Sequence, residues 1–254
     1  MKFKSFAKMR IAGALAAFAL IAIPAPAGAE LILSQLVVDL GSKADQRTDI
    51  EVWNNSEERA YVAAEPSEIV DAGKPGEQRQ TEPDPEKRGL LVSPNRMILE
   101  PGQRRLIRLA SIGERGMAER VYRVTVKPVA GKLSSEESGL KLLIGYDVLV
   151  LLRPSATRPG LSAVRSGNRI TFRNDGNASV ELIDGKQCAA DKSCVELPGK
   201  RIYAGAEWSQ ELKTAAPVDY SVVSSGKSVR RVPGMKVGPG TTSMTICVFA
   251  PASR

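Results

Sequence analysis

Residues 139–154, GLKLLIGYDVLVLLRP, decide the fold class. Leu140, Leu142, Ile144, Tyr146, Val148, Val150 and Leu152 alternate onto one face, and Leu149 and Leu151 make the end of the other face apolar as well. Period-two alternation predicts a β-strand. Leu140 to Leu152 would be a long one, against a usual strand of about five or six residues. A strand so long and apolar is either core or an edge that pairs with another chain.

Working outward, strand signals recur along the whole chain. Upstream, LILSQLVVDLG (31–41) predicts an opening strand, and RTDIEVWNNSEERAYVAAEPSEI (47–69) predicts two strands around Asn54-Asn55-Ser56. The Pro-, Gly- and charge-rich run 70–89 reads as a loop. Segment 90–111 predicts two strands joined by Glu100-Pro101-Gly102, with Pro setting φ and Gly accepting positive φ. In AERVYRVTVKPV (118–129), Tyr122, Val124 and Val126 form the apolar face of another strand. Seven or so strands without an amphipathic helix predict an immunoglobulin-like sandwich. Beyond Arg153-Pro154 the pattern resumes with turns at Ser166-Gly167-Asn168 and NDGN (174–177), and a hairpin through Ser224-Ser225-Gly226.

The expected organisation is therefore all-β. It comprises a leader (1–29), an immunoglobulin-like domain (30–154), a smaller one (155–232), and a Gly/Pro-rich tail (233–254) with one unplaced strand. The leader has basic residues, an apolar run and Ala27-Gly28-Ala29, which predicts a signal peptide cleaved after Ala29 and export. Removing Lys2, Lys4, Lys8 and Arg10 lowers the net charge from +8 to +4. The remaining charges are interspersed and aromatics are few, which argues against nucleic-acid binding.

The 254 residues contain no histidine, which removes the usual base of hydrolytic triads and the imidazole ligands of zinc sites. There is no phosphate-binding glycine loop, and the acids sit in loop-like contexts such as NNSEERA and TEPDPEKRG. Neither catalysis nor a cofactor or metal is expected. Cys188 and Cys194, separated by the five residues AADKS, are expected to pair in an oxidising compartment, leaving Cys247 as the odd cysteine.

Taken in order, SPNRMILEPGQRRLIRL, ERVYRVTVKPV, LKLLIGYDVLVLLRP, NDGNASVEL and AGAEW resemble the PapD-like periplasmic chaperones of pilus assembly. The resemblance covers nearly all of the chain after the leader. It implies two immunoglobulin-like domains set in an L around a cleft, periplasmic location, and partnership with pilus or fimbrial subunits and an outer-membrane usher. It also implies donor-strand complementation, in which Leu140, Leu142, Ile144 and Tyr146 fill the groove of a subunit that lacks a strand. The family's subunit-carboxylate grip, an Arg and a Lys, aligns here with Gln35 and Leu149, neither of them cationic. Gln35 is left as a hydrogen-bond donor to the subunit. Arg153 and Glu119 match the family's interdomain pair, whereas its third member, an Asp of domain two, falls near Ser224 and is absent. An exposed donor strand is a liability, to be covered in the free state either by self-association or by a loop such as AGKLSSEESG (130–139). The alternative is a structural or adhesive two-domain surface protein that keeps the strand in its own sheet and has no client.

Overall fold

The computed structural model of the chain describes residues 31–41, 46–129, 143–158, 160–190 and 192–224, and the backbone of 228–232 and 242–246. Ten strands precede Arg153. They are β1 (Leu31–Leu33), β2 (Val37–Leu40), β3 (Arg47–Asn54), β4 (Ala60–Val70), β5 (Gln78–Gln80), β6 (Leu90–Ser93), β7 (Arg96–Leu99), β8 (Arg104–Ser111), β9 (Arg120–Pro128) and β10 (Tyr146–Leu152). One sheet runs β1-β3-β8-β6, and the other runs β2-β10-β9-β4-β5 with β7 also on β4. Both sheets turn alternate residues inward, so Ile50, Val52, Ile107, Leu109, Tyr122, Val124, Val148 and Val150 share one closed core. Tyr122 is wholly buried, and its hydroxyl donates to the Arg88 carbonyl at 2.6 Å, which satisfies its polar end.

Several expectations change in detail. The opening strand is two strands, because the chain leaves one sheet at Ser34-Gln35 and enters the other. β1 pairs antiparallel with β3, while β2 pairs parallel with β10. Segment 90–111 holds three strands, and the break falls at Pro94, which has no N–H for a ladder. The loop 70–89 contains β5 and a four-residue helix, α1 (Pro85–Arg88). Asp84 caps that helix, Pro85 starts it, and Gly89 at φ +76° ends it. Strand β10 begins only at Tyr146, and Leu140 and Leu142 lie outside the described residues.

The second sandwich contains β11 (Leu161–Ser166), β12 (Arg169–Asn174), β13 (Val180–Cys188), β14 (Cys194–Leu197), β15 (Lys200–Ile202), β16 (Glu207–Glu211), β17 (Val218–Ser224), β18 (Ser228–Val232) and β19 (Thr242–Ile246). Its sheets are β16-β12-β11-β19 and β14-β13-β17-β18, with β15 on β13. Phe172 anchors the core, edge-on to Tyr220 at 5.4 Å and stacked near Trp208 at 5.7 Å. Strand β19 lies in the segment read as a tail. It pairs antiparallel with β11, Leu161 opposite Ile246, so the second sandwich extends past residue 232. Cys188 and Cys194 face each other at the end of β13 and β14 and are joined by a disulfide.

Candidate functional site

The first feature is a stepped edge of the sheet that holds β10. Strand β2 covers β10 only from Leu149 to Leu152, with the Leu149 N–H donating to the Leu36 carbonyl at 2.9 Å. Alternation points the Asp147 N–H to that same side, where no strand lies among the described residues. Beyond the step Ile144 is 59% exposed, and Leu36 and Val37, where the covering strand begins, are each 50% exposed. Val148, Val150 and Leu152 belong to the domain's own core.

Tyr146 departs from the sequence expectation. It is half-buried against that core, and its hydroxyl donates to the Leu31 carbonyl at 2.7 Å. Its side chain is thereby committed within the domain. Gln35 is half-buried, with Nε2 donating to the Asp49 carbonyl at 3.4 Å.

The second feature is a cleft of about 790 Å³ between the two sandwiches. Neither Gln35 nor Leu149 lines it. Leu149 packs with Leu151, Val121 and Ala72 in a small apolar cluster that Tyr203 of the second sandwich closes. The cations of the cleft come from other positions: Arg79, Arg123, Lys200 and Arg201. Arg123 is the cross-strand neighbour of Leu149. Asp147 stands between two of these cations, 2.6 Å from Arg79 Nη2 and 3.8 Å from Arg123 Nε, and also accepts from Thr125 Oγ1 at 3.0 Å. Lys200 has no ion partner among the described residues. Sequence reasoning missed this cationic wall, because nothing in the local patterns says that β5, β9 and β15 face one space.

Arg153, which does not line the cleft, is buried in a cage of acceptors. Its Nε and Nη2 reach Asp39 at 2.9 and 2.8 Å, and Nη1 donates to Glu119 and to the Ser179 carbonyl and hydroxyl at 3.1 and 3.2 Å. Burial pulls the guanidinium's pKa down, but Asp39 and Glu119 outweigh it and hold Arg153 above its ordinary value. The Ser179 N–H and hydroxyl also bond Glu119 Oε2, at 3.1 and 3.2 Å. The third carboxylate sought in domain two is thus replaced by Asp39 of domain one, and domain two contributes a neutral serine. Among the described residues, no cluster of acids or cysteines could hold a metal ion.

Comparison with known proteins accords with this architecture. Among curated protein sequences none matches. The crystal structure of the class 5 fimbriae chaperone CfaA superimposes with a TM-score of 0.59 at 22% identity, covering 85% of this chain and 98% of that one. The SafB chaperone–SafA pilin complex of Salmonella enterica gives 0.56 at 15% identity, over 87% and 99% of the two chains. The chaperone–tip adhesion subunit complex CsuC–CsuE of Acinetobacter baumannii gives 0.56 at 14%, over 80% and 97%. At such identities these likenesses speak to the fold. The family itself is shown by sequence: the profile of the N-terminal domain of PapD, pili and flagellar-assembly chaperone, matches residues 31–158, half of the chain. This two-sandwich chain is therefore a member of the PapD-like family, the non-enzymatic periplasmic chaperones of chaperone–usher pilus assembly.

Proposed function

We propose that the chain binds pilus or fimbrial subunits by donor-strand complementation and delivers them to an outer-membrane usher after its leader is cleaved behind Ala29. The observation that carries this reading is the stepped edge. Backbone groups of β10 before Leu149 have no covering strand among the described residues, and Ile144, Leu36 and Val37 expose apolar side chains along the same edge. A subunit that lacks a strand supplies the missing pairing through main-chain hydrogen bonds and receives Ile144 in its groove. Leu140 and Leu142 extend the donor series upstream, whereas Tyr146 serves the chaperone's own packing.

The subunit's terminal carboxylate, which the family grips with Arg and Lys, meets Arg123 and Lys200 instead of Gln35 and Leu149. A charge-assisted contact is the stronger kind, so relocation of the cation preserves the grip. The usher has a separate surface. Tyr61 and Ile98 are cross-strand neighbours, Val129 donates its N–H to the Tyr61 carbonyl, and all three side chains are exposed. Such a row on the outer sheet face suits a second partner while the edge is occupied. In the free state, the edge is also where a second copy would pair.

Affinity capture of the tagged chain from periplasm, with mass spectrometry of what elutes, tests the reading. A pilus or fimbrial subunit is expected in stoichiometric amount, and Arg123→Ser should lower its recovery and weaken the salt dependence of binding. Elution of the chain without any subunit, from cells that express them, would sink the proposal.

A further inference from the structure

The odd-numbered residues from Leu149 to Arg153 turn their backbone groups toward β2. The Leu149 N–H donates to the Leu36 carbonyl at 2.9 Å, and the Arg153 N–H to the Leu40 carbonyl at 3.1 Å. Asp147 is the next odd residue toward the start of β10. Alternation therefore sends its carbonyl to the same side, beyond the point where β2 begins. No strand covers that acceptor among the described residues. A side chain reaches it instead: Arg123 Nη1 donates to the Asp147 carbonyl at 3.2 Å.

Ion pairing alone does not account for this bond. The Asp147 carboxylate is taken by Arg79 at 2.6 Å and by Thr125 Oγ1 at 3.0 Å, whereas Arg123 Nε stands 3.8 Å from it, beyond hydrogen-bond reach. The Arg123 guanidinium gives its hydrogen bond to the backbone, at a carbonyl that a paired strand would claim for an N–H of its own. Tyr122 and Val124 point into the core, so Arg123 lies on the outer face of β9, and its side chain crosses β10 to reach the far edge. Charged side chains on sheet edges deter pairing. A charged donor bonded to the edge acceptor itself has to be displaced before anything pairs there.

We propose that Arg123 guards the open edge of β10: with no partner bound, its guanidinium occupies the Asp147 carbonyl and keeps a second copy of the chain from pairing there. A subunit strand that adds to the edge brings a backbone N–H to that carbonyl and releases the guanidinium into the cleft, which Arg123 also lines. This release rests on the function proposed above; the guard concerns the free chain alone. The two partners differ in what they displace. A second copy paired edge to edge must dislodge two guanidiniums, one from each chain, whereas a subunit dislodges one and meets it with its terminal carboxylate. The guard thus selects between partners instead of closing the edge to all.

The test is sedimentation velocity on the purified chain without any partner, over a range of concentrations. The samples are wild type, Arg123→Ser, Arg123→Gln, Lys200→Ser, and Arg123→Ser combined with Ile144→Asp, with circular dichroism to check that each is folded. Both Arg123 variants should self-associate at least about tenfold more strongly than wild type, the worth of one hydrogen bond to a charged group. Lys200→Ser removes the same unit of charge from the same cleft and should sediment as wild type. Adding Ile144→Asp beside the edge should return Arg123→Ser to wild-type behaviour. Wild-type sedimentation of the folded Arg123 variants would overturn the proposal, as would equal association by Lys200→Ser or association that survives Ile144→Asp. Subunit capture separates this from the function proposed above. If wild type captures no subunit, that function falls and the guard stands on the sedimentation result. If Arg123→Ser self-associates more strongly yet captures subunit at wild-type level, the release of Arg123 to a carboxylate is overturned and the guard is kept.

Discussion

Asn54 and Asn174 occupy the same place in the two sandwiches. Each ends a strand, β3 or β12, and each is fully buried. Asn54 Nδ2 donates to the carbonyls of Glu58 and Leu99 at 2.8 and 3.0 Å; Asn174 Nδ2 donates to those of Ala178 and Ile202, both at 2.9 Å. Their Oδ1 atoms accept the N–H two residues on, from Ser56 and Gly176. Their carbonyls accept the N–H of Gly102 and Gly205, both at φ +72°. One device thus turns the chain from sheet to sheet in each half. Asn54→Ala and Asn174→Ala each leave buried carbonyls unpaired, and each should cost its own sandwich about 2–4 kcal/mol. Trp53 lies in the first sandwich and Trp208 in the second, so single-tryptophan variants followed in denaturant would assign each loss to its half.

Much of this fold was legible because alternation is a local property. The inward faces of β9 and β10 read correctly as Tyr122, Val124, Val126 and as Val148, Val150, Leu152. The sheet changes at Ser34-Gln35 and Ser93-Pro94 were not legible. Both sheets face one core, so a chain that crosses between them keeps its inward alternation. The helix at Pro85–Arg88 did carry its signals, Asp-Pro at one end and Gly at the other, but they sat within a run whose composition says loop. At the site, Arg153 and Glu119 were found by likeness to a family pattern. Asp39 and Ser179 were not, since they bond Arg153 across 114 and 26 residues of chain. The cations lining the cleft, Arg123 and Lys200 among them, were invisible for the same reason.

The disulfide between Cys188 and Cys194 closes a loop of sequence separation six. Chain-entropy reasoning for so small a loop gives a stabilisation of about 2 kcal/mol. Replacing both cysteines by alanine should lower the melting of the second sandwich modestly and leave the first unchanged. Thiol titration of the denatured, unreduced chain should find one thiol, Cys247, of the three cysteines. Three free thiols would rule the pairing out.

Alkali should unfold the chain through its buried phenols. Burial pushes the Tyr220 hydroxyl up to about 12 from the ordinary phenol value of about 10, and moves Tyr122 upward too. A raised folded-state pKa means that the neutral form is favoured by the fold. Its contribution is fully present below about pH 10 and is lost as pH rises toward the folded value, worth about 3 kcal/mol for Tyr220 over that window. Stability measured by denaturant melts should therefore begin to fall only above about pH 10. Tyr220→Phe should flatten that fall, at the cost of the bond from Gln210 Nε2 at 2.6 Å.

Ile144 and Leu152 test whether the strand is used or merely buried. Ile144 lies just ahead of β10 and is 59% exposed, whereas Leu152 ends that strand and is 5% exposed. Ile144→Asp removes little packing, so its melting should stay within about 0.5 kcal/mol of wild type. Subunit binding should nevertheless fall steeply, because a subunit groove would receive a carboxylate with no partner. Leu152→Asp places a charge in a closed core among Val150, Tyr122 and Leu40 and should unfold the first sandwich outright. Circular dichroism melts run beside co-purification of the subunit distinguish the outcomes. If Ile144→Asp unfolds the sandwich as badly as Leu152→Asp, the strand is core throughout and the donor mechanism fails. If it folds and still captures the subunit at wild-type level, the contact lies elsewhere, with Leu36 and Val37 at the start of the neighbouring strand as the next residues to replace.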